Sequence, residues 1–265
     1  MCNRNYEVTV IDTDTTKNID FYKHWYKPHT GWGKIDKNWC RLNEYYSFNY
    51  EKLKLEVDSL LEEYKLKPFP ISTKKNKKRW TYRGIGLTSN PSSEDPLYDS
   101  LKLYSKDGEI DISDTFDAMA VNNEESVAPQ LYEKGFSEKT KIYRGYLGEI
   151  LDRFKSPMTK ARILSLKPKG VITPHVDFPY YKQIRVHTVL ASNSETWWEV
   201  EGERFKLPAD GHWYWFDTGK YHAVWNDGDT DRLIVSVNLS LYEDRDENPR
   251  NTNKKIEDLI VSKNL

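Results

Sequence analysis

The chain has 265 residues, with 40 Lys and Arg against 41 Asp and Glu, so a formal net charge of -1 gives it no global pull toward nucleic acid or an anionic membrane. Hydrophobic residues make up 37% and no apolar run approaches the length of a membrane span, which leaves one large soluble domain or two small ones. Cys2 and Cys40 are the only cysteines, which excludes a disulfide framework and suits a reducing compartment.

Residues 1–48 are aromatic-rich and irregular, with Trp25, Trp32 and Trp39 spaced along polar sequence. The opening MCNRNYEVTV has no basic stretch ahead of an apolar run, so a cytoplasmic protein without a signal peptide is expected. Over 49–65, Leu53, Val57, Leu60, Leu61 and Tyr64 recur at helical spacing while Glu51, Glu56 and Glu62 fall off that stripe. This predicts an amphipathic helix, ended by Pro68 and Pro70. The basic run Lys74-Lys75-Asn76-Lys77-Lys78-Arg79 precedes Trp80-Thr81-Tyr82 and reads as a solvated loop ahead of a strand rather than a phosphate site. Residues 88–100 are dense in Ser, Pro, Asp and Asn, a loop long enough to serve as a lid. A second helix is predicted over 143–155, with Tyr146, Leu147, Ile150, Leu151 and Phe154 on its buried side.

From Ala161 the texture changes to short alternating runs: ARILSLKP, RVHTVLAS, TWWEVEGERFKLP, HWYWFD, HAVWN and RLIVSVNLSLY. Turn residues separate them at Lys169-Gly170, Gly202, Asp210-Gly211, Gly219 and Asp227-Gly228. Many short strands punctuated in this way predict a β-sandwich or barrel. Glu243 to Arg250 is charged turn material, and Lys254–Val261 is a short terminal helix or a frayed end.

The chemistry concentrates between His175 and Arg232. Side chains at i and i+2 of a strand share a face, so His175 and Asp177 can reach one ion together, and His222 lies far enough on for a rolled sheet to return alongside. Two histidines and one carboxylate suit a non-haem Fe(II) that keeps open positions. Arg185 and His187 also share a face, and two such groups are costly to bury without an anion. On the strand beginning at Arg232, Arg232, Ile234, Ser236 and Asn238 face one way and Leu233, Val235, Val237 and Leu239 the other. An Arg fork there can hold a carboxylate bidentately. Each element has an ordinary reading as well: chance His-x-Asp pairs are common, and Arg232 could pair with Asp227, Asp229 or Asp231 on a surface turn. Their joint order in a β-rich region favours the site.

The same residues carry a resemblance. Ala161–Leu166 leading through Pro174 to His175-Val176-Asp177, then Arg185-Val186-His187, Gly202, Phe216-Asp217, His222-Ala223-Val224-Trp225-Asn226 and Asp231-Arg232-Leu233-Ile234-Val235 resemble the aspartyl/asparaginyl β-hydroxylase-like branch of the Fe(II)/2-oxoglutarate-dependent oxygenases, which also includes hydroxylases of free amino acids such as proline. The resemblance covers about residues 140–242. It implies a mainly β protein with flanking helices, built on a double-stranded β-helix (a cupin-like jelly roll). It implies His175, Asp177 and His222 as iron ligands, Arg232 as the partner of the distal 2-oxoglutarate carboxylate with help from Arg185 and His187, and O2 as co-substrate. Asp217 and Asn226 look like groups that orient His222 or simply form turns. The presence of Asp177 favours hydroxylation over halogenation.

The expected organisation is an N-terminal helical and irregular region over 1–140 packed on the barrel, a catalytic core over 141–245, and a tail over 246–265. The expected substrate is an amino acid or a peptide, with no nucleic-acid or membrane partner. Trp80, Tyr82, Arg83, Arg162, Phe178, Tyr180, Tyr181 and Trp197 are candidate substrate contacts, Arg83 and Arg162 suiting a substrate carboxylate. The competing readings are a peptidyl Asp/Asn or prolyl hydroxylase, and a cupin-like binder without turnover.

Overall fold

The structure is a computed structural model that describes residues 38–69, 82–101, 104–105, 108–109, 136–175, 183–220 and 222–240. The expectations for 74–79 and 254–261 lie outside the described residues. In chain order the elements are β1 (Trp39–Arg41), α1 (Tyr50–Glu63), β2 (Lys67–Pro68), β3 (Tyr82–Gly86), β4 (Thr88–Ser89), β5 (Tyr104–Ser105), β6 (Gly108–Glu109), β7 (Glu138–Lys139) and α2 (Gly145–Leu151). Eight strands follow: β8 (Met158–Leu166), β9 (Gly170–His175), β10 (Gln183–Ala191), β11 (Thr196–Val200), β12 (Glu203–Phe205), β13 (Tyr214–Phe216), β14 (His222–Asn226) and β15 (Arg232–Ser240). No helix among the described residues is long and apolar enough to cross a membrane.

Those eight strands divide between two antiparallel sheets. One has the order β1-β13-β10-β15-β8-β3-β2 and the other β12-β11-β14-β9. The chain passes back and forth between the sheets, which is the winding of a double-stranded β-helix. The tight β11–β12 hairpin depends on Glu201 and Gly202, both at positive φ (51° and 81°), as a two-residue turn of matching twist requires. β1 joins one edge of the larger sheet through β13, and β3 joins the other through β8, so segments distant in sequence extend the same surface.

Strict alternation sorts the side chains. Leu233, Val235, Val237 and Leu239 of β15 join Ala161, Ile163, Ile184 and Val186 in a core on the outer face of the larger sheet, where Leu53, Val57 and Leu60 of α1 and Leu147, Ile150 and Leu151 of α2 cover them. The opposite face of the same strands packs Leu164, Leu166, Val189 and Ile234 against Trp198, Val200 and Val224 of the smaller sheet. Leu164, Trp198, Val224 and Ile234 of that second core also border the cavity that holds the polar site.

The helices are held at their ends as well as their faces. The Asn49 side chain accepts from the Lys52 amide at 2.9 Å and starts α1. No side chain of its own first turn caps α2; instead the Glu56 carboxylate of α1 accepts from the amides of Tyr146 (2.8 Å) and Leu147 (3.1 Å). A negative charge at a helix N-terminus is favourable, and it ties the two helices together. Gly145 stands there at φ 58°, and a Cβ would lie 2.6 Å from Glu56 Oε1.

The 88–100 segment is more than a loop over a site. β4 pairs with β7, Gly86 N–H donates to Leu97 O at 2.6 Å, and Asp99, Ser100 and Leu101 form a buried 3-10 turn against the sheet.

Candidate active site

β9 ends on His175 and β14 begins on His222, and these two residues are direct cross-strand partners. The small sheet therefore brings together two positions separated by 46 intervening residues, as the rolled-sheet reading required. His222 is buried and borders the cavity between the sheets. Its Nδ1 lies 2.9 Å from Lys220 O. With Nδ1 donating to that carbonyl, Nε2 carries the lone pair a metal needs. Asp177, two positions past the end of β9, lies outside the described residues.

Arg232 is 1% exposed, at the start of β15, level with Leu166 of β8, which is in turn level with Tyr82 of β3. Its guanidinium carbon sits 5.5 Å from the Trp198 ring centre and 5.8 Å from that of Tyr82. Nε and Nη2 have no hydrogen-bond partner among the described residues, and burial lowers its pKa. The surface-turn reading fails for a definite reason: Asp231 holds Lys167 at 2.7 Å and Ser165 at 3.0 Å, and Asp229 holds Lys169 at 3.2 Å.

Arg185 and His187 face the same cavity from β10. Arg185 Nε donates to Asn238 Oδ1 of the neighbouring strand at 2.8 Å. His187 stacks on Phe216 with ring centres 4.8 Å apart, and neither of its ring nitrogens has a partner among the described residues. Burial first, and then Arg185, Arg232, His222 and Arg162, hold its pKa well below the ordinary value, so it is neutral. A neutral imidazole offers one donor and one acceptor. Arg162 of β8 shares a row with Ser236 and His187, reaches the cavity, and donates from Nη1 to Ser100 O at 3.3 Å.

Of the candidate substrate contacts, Tyr82 and Arg162 border the cavity. Arg83 is exposed on the other side of β3. Trp197 faces outward, level with Trp225 and with Lys206 Nζ 4.0 Å above its ring. Trp80, Phe178, Tyr180 and Tyr181 lie outside the described residues. The sequence reading passed over Trp198, the inward neighbour. The register of β11 on β14 is what separates the two: Trp198 is level with inward Val224, while Trp197 and Glu199 share the other face, where Glu199 pairs with Arg204 at 2.7 Å.

Asn226 and Asp217 work on the frame. Asn226, fully buried, donates to the carbonyls of Leu166 (2.9 Å), Lys167 (3.1 Å) and Thr230 (2.8 Å) and accepts from Asn193 (2.9 Å). It closes the end of the barrel away from His222. Asp217 Oδ1 accepts from the Gly219 amide at 3.1 Å in the turn that leads to Lys220 and His222. Burial, outweighing Lys220 and the amide donors, pushes its pKa up to about 6. An unfolded Asp titrates near 3.9. Between these values the folded protein holds a proton that the unfolded chain has lost, so stability falls as pH rises through the window, by on the order of 3 kcal/mol, and is level above it. Asp217→Asn keeps the acceptor and removes the charge. Urea unfolding at pH 4 and pH 7 should show a smaller loss in the variant; equal losses in both proteins would contradict the assignment.

Residues 112–240 match the family model described as "Aspartyl/Asparaginyl beta-hydroxylase". No curated protein sequence gives a significant match. Among solved structures the chain is similar to an oxidoreductase of the 2OG-Fe(II) oxygenase family from Burkholderia pseudomallei, with a TM-score of 0.42 and 12% identity over 88% of this chain and 93% of that one. It is similar to a Pseudomonas putida prolyl-4-hydroxylase, with a TM-score of 0.41 and 10% identity over 78% of this chain and 94% of that one. The protein TT1209 from Thermus thermophilus gives a TM-score of 0.26 and 23% identity over 31% of this chain and 72% of that one. At these TM-scores the structural likenesses carry no argument about activity.

Proposed function

We propose that this chain, which matches the aspartyl/asparaginyl β-hydroxylase family model through residues 112–240, acts as an Fe(II)/2-oxoglutarate oxygenase of that branch and hydroxylates an unactivated C–H bond of an amino acid or amino-acid residue. His175, Asp177 and His222 hold the metal, and Arg232 holds the distal carboxylate of 2-oxoglutarate, with Arg185 and His187 bordering the same space. The observation that carries this reading is Arg232. A guanidinium buried in the barrel, with two nitrogens unmatched and no carboxylate paired to it among the described residues, is expensive unless a ligand anion completes it.

The remaining residues fit the group. The Lys220 carbonyl sets the His222 tautomer for ligation. Neutral His187 can donate or accept beside the ligand without adding to three nearby arginines. Leu164, Ile172 and Val224 line the cavity with apolar surface and keep water from it. When bound, Fe(II) with 2-oxoglutarate and O2 supplies the oxidising power, and succinate and CO2 are released as the substrate gains a hydroxyl. Orientation, a dry pocket and charge placement are what the chain itself contributes. Arg162, at the cavity and remote from the Arg232 row, suits the carboxylate of an amino-acid substrate.

Succinate release tests this directly. Fe(II)-loaded protein with 2-oxoglutarate is offered the common free amino acids and peptides containing the same residues. We expect release stimulated by a free amino acid. Stimulation by peptides alone assigns a peptidyl hydroxylase, and stimulation by neither contradicts the amino-acid reading.

A further inference from the structure

Buried polar side chains in folded proteins nearly always have partners, so those that lack one within a cavity mark where a ligand sits. Five side chains bordering the cavity hold at least one unmatched polar atom among the described residues: Arg162 (Nε), His187, Trp198, Arg232 (Nε and Nη2) and Ser236. Trp198 is 1% exposed, borders the cavity, and leaves its indole Nε1–H unmatched. It is level with Val224 of β14, two residues on from His222, which is one inward step of about 6.6 Å along the strand. The Arg232 guanidinium lies against its ring. Trp198 therefore stands between the histidine row and the arginine, at the depth the far end of a short ligand would reach.

The unmatched groups of Arg232 and Trp198 are all donors. An indole N–H only donates, and so does a guanidinium. Three unmatched donor atoms, Arg232 Nε and Nη2 and Trp198 Nε1, belong to side chains in contact with each other on this cavity, the guanidinium carbon 5.5 Å from the indole ring centre. The Tyr82 hydroxyl, Ser236 and neutral His187 also border the cavity and can accept, but a carboxylate, which brings acceptors alone, is the group that satisfies all three unmatched donors without adding one of its own.

We propose that Trp198 is a specificity-determining residue whose indole N–H donates to the distal carboxylate of the 2-oxo acid beside the Arg232 fork, so that the site selects 2-oxo dicarboxylates over 2-oxo monocarboxylates of the same length. This rests on the co-substrate reading given above. The indole ring also packs the guanidinium, fixing the direction of its fork.

Calorimetric titration of Zn(II)-loaded protein, with no turnover involved, tests it. The probes are 2-oxoglutarate and 2-oxopentanoate, which differ at the distal carboxylate. Wild-type protein should bind 2-oxoglutarate far more tightly. In Trp198→Phe the affinity for 2-oxoglutarate should fall roughly 10- to 100-fold, the worth of one hydrogen bond to a charged group, while that for 2-oxopentanoate stays within about twofold. Equal weakening of both probes, or no change in either, overturns the proposal and makes Trp198 a packing residue. If wild-type protein binds neither probe, the co-substrate reading itself fails and this inference with it. Should the variant not fold, indole-15N spectra of the wild type serve instead: of the nine tryptophans, one buried N–H should move downfield with 2-oxoglutarate and not with 2-oxopentanoate. The absence of any such difference overturns the proposal.

Discussion

Arg232→Met should raise the melting temperature of the ligand-free protein and abolish the stabilisation that 2-oxoglutarate confers on it. The two effects have one cause. Arg232 is buried to 1% exposure with Nε and Nη2 unmatched, and burial already lowers its pKa. Exchanging buried ionic groups for well-packed apolar side chains is often neutral or stabilising by about 1–4 kcal/mol. Against that stands the loss of contacts with the Trp198 and Tyr82 rings, each worth about 0.5–2 kcal/mol, so the gain is at the lower end. On the ligand side, removing one partner of a buried charge pair costs about 2–5 kcal/mol, which weakens 2-oxoglutarate by about 30-fold to several thousand-fold. Thermal melts with and without 2-oxoglutarate read both. A lower melting temperature together with undiminished stabilisation by 2-oxoglutarate would make Arg232 a structural residue and move the anchor to Arg185.

His222→Ala, and likewise His175→Ala, should release the metal and remove turnover altogether. The positions are cross-strand partners, so under the proposed triad each would supply one ligand and neither would substitute for the other. Loss of a group that merely orients a ligand costs about 10- to 100-fold in metal affinity or activity; loss of a ligand should exceed that. Iron content after dialysis and succinate release are the readouts, with a melt to show that the barrel persists. Full metal content and activity in either variant would dissolve the triad.

Where the sequence was legible, one strong local rule was at work. Period-two alternation placed Arg232, Ile234 and Ser236 on the inner face and Leu233, Val235, Val237 and Leu239 on the outer, and the structure has them so. Helical spacing likewise found Leu53, Val57 and Leu60 on α1 and Leu147, Ile150 and Leu151 on α2. What stayed hidden depends on chain segments meeting across long distances. Pairing of Trp39 with Phe216 or of Gly86 with Arg162 leaves no local trace. Glu56 lay off the helical stripe, and nothing near it in sequence tells that it caps another helix. Asn226 reads from the sequence either as a group that orients His222 or as a residue of the strand end and turn, and its bonds to Leu166, Lys167 and Thr230 select the second. In the doublet Trp197-Trp198, composition alone does not say which indole enters the barrel; the register with Trp225 and Val224 does.

The most direct test of the central claim is anaerobic. Fe(II) and then 2-oxoglutarate are added to the metal-free protein, and the visible spectrum is followed for the weak charge-transfer band of the iron–2-oxo-acid chelate. The account predicts that the band appears in the wild type and is absent in His175→Ala. Iron binding without the band, or a band that survives in His175→Ala, would contradict it.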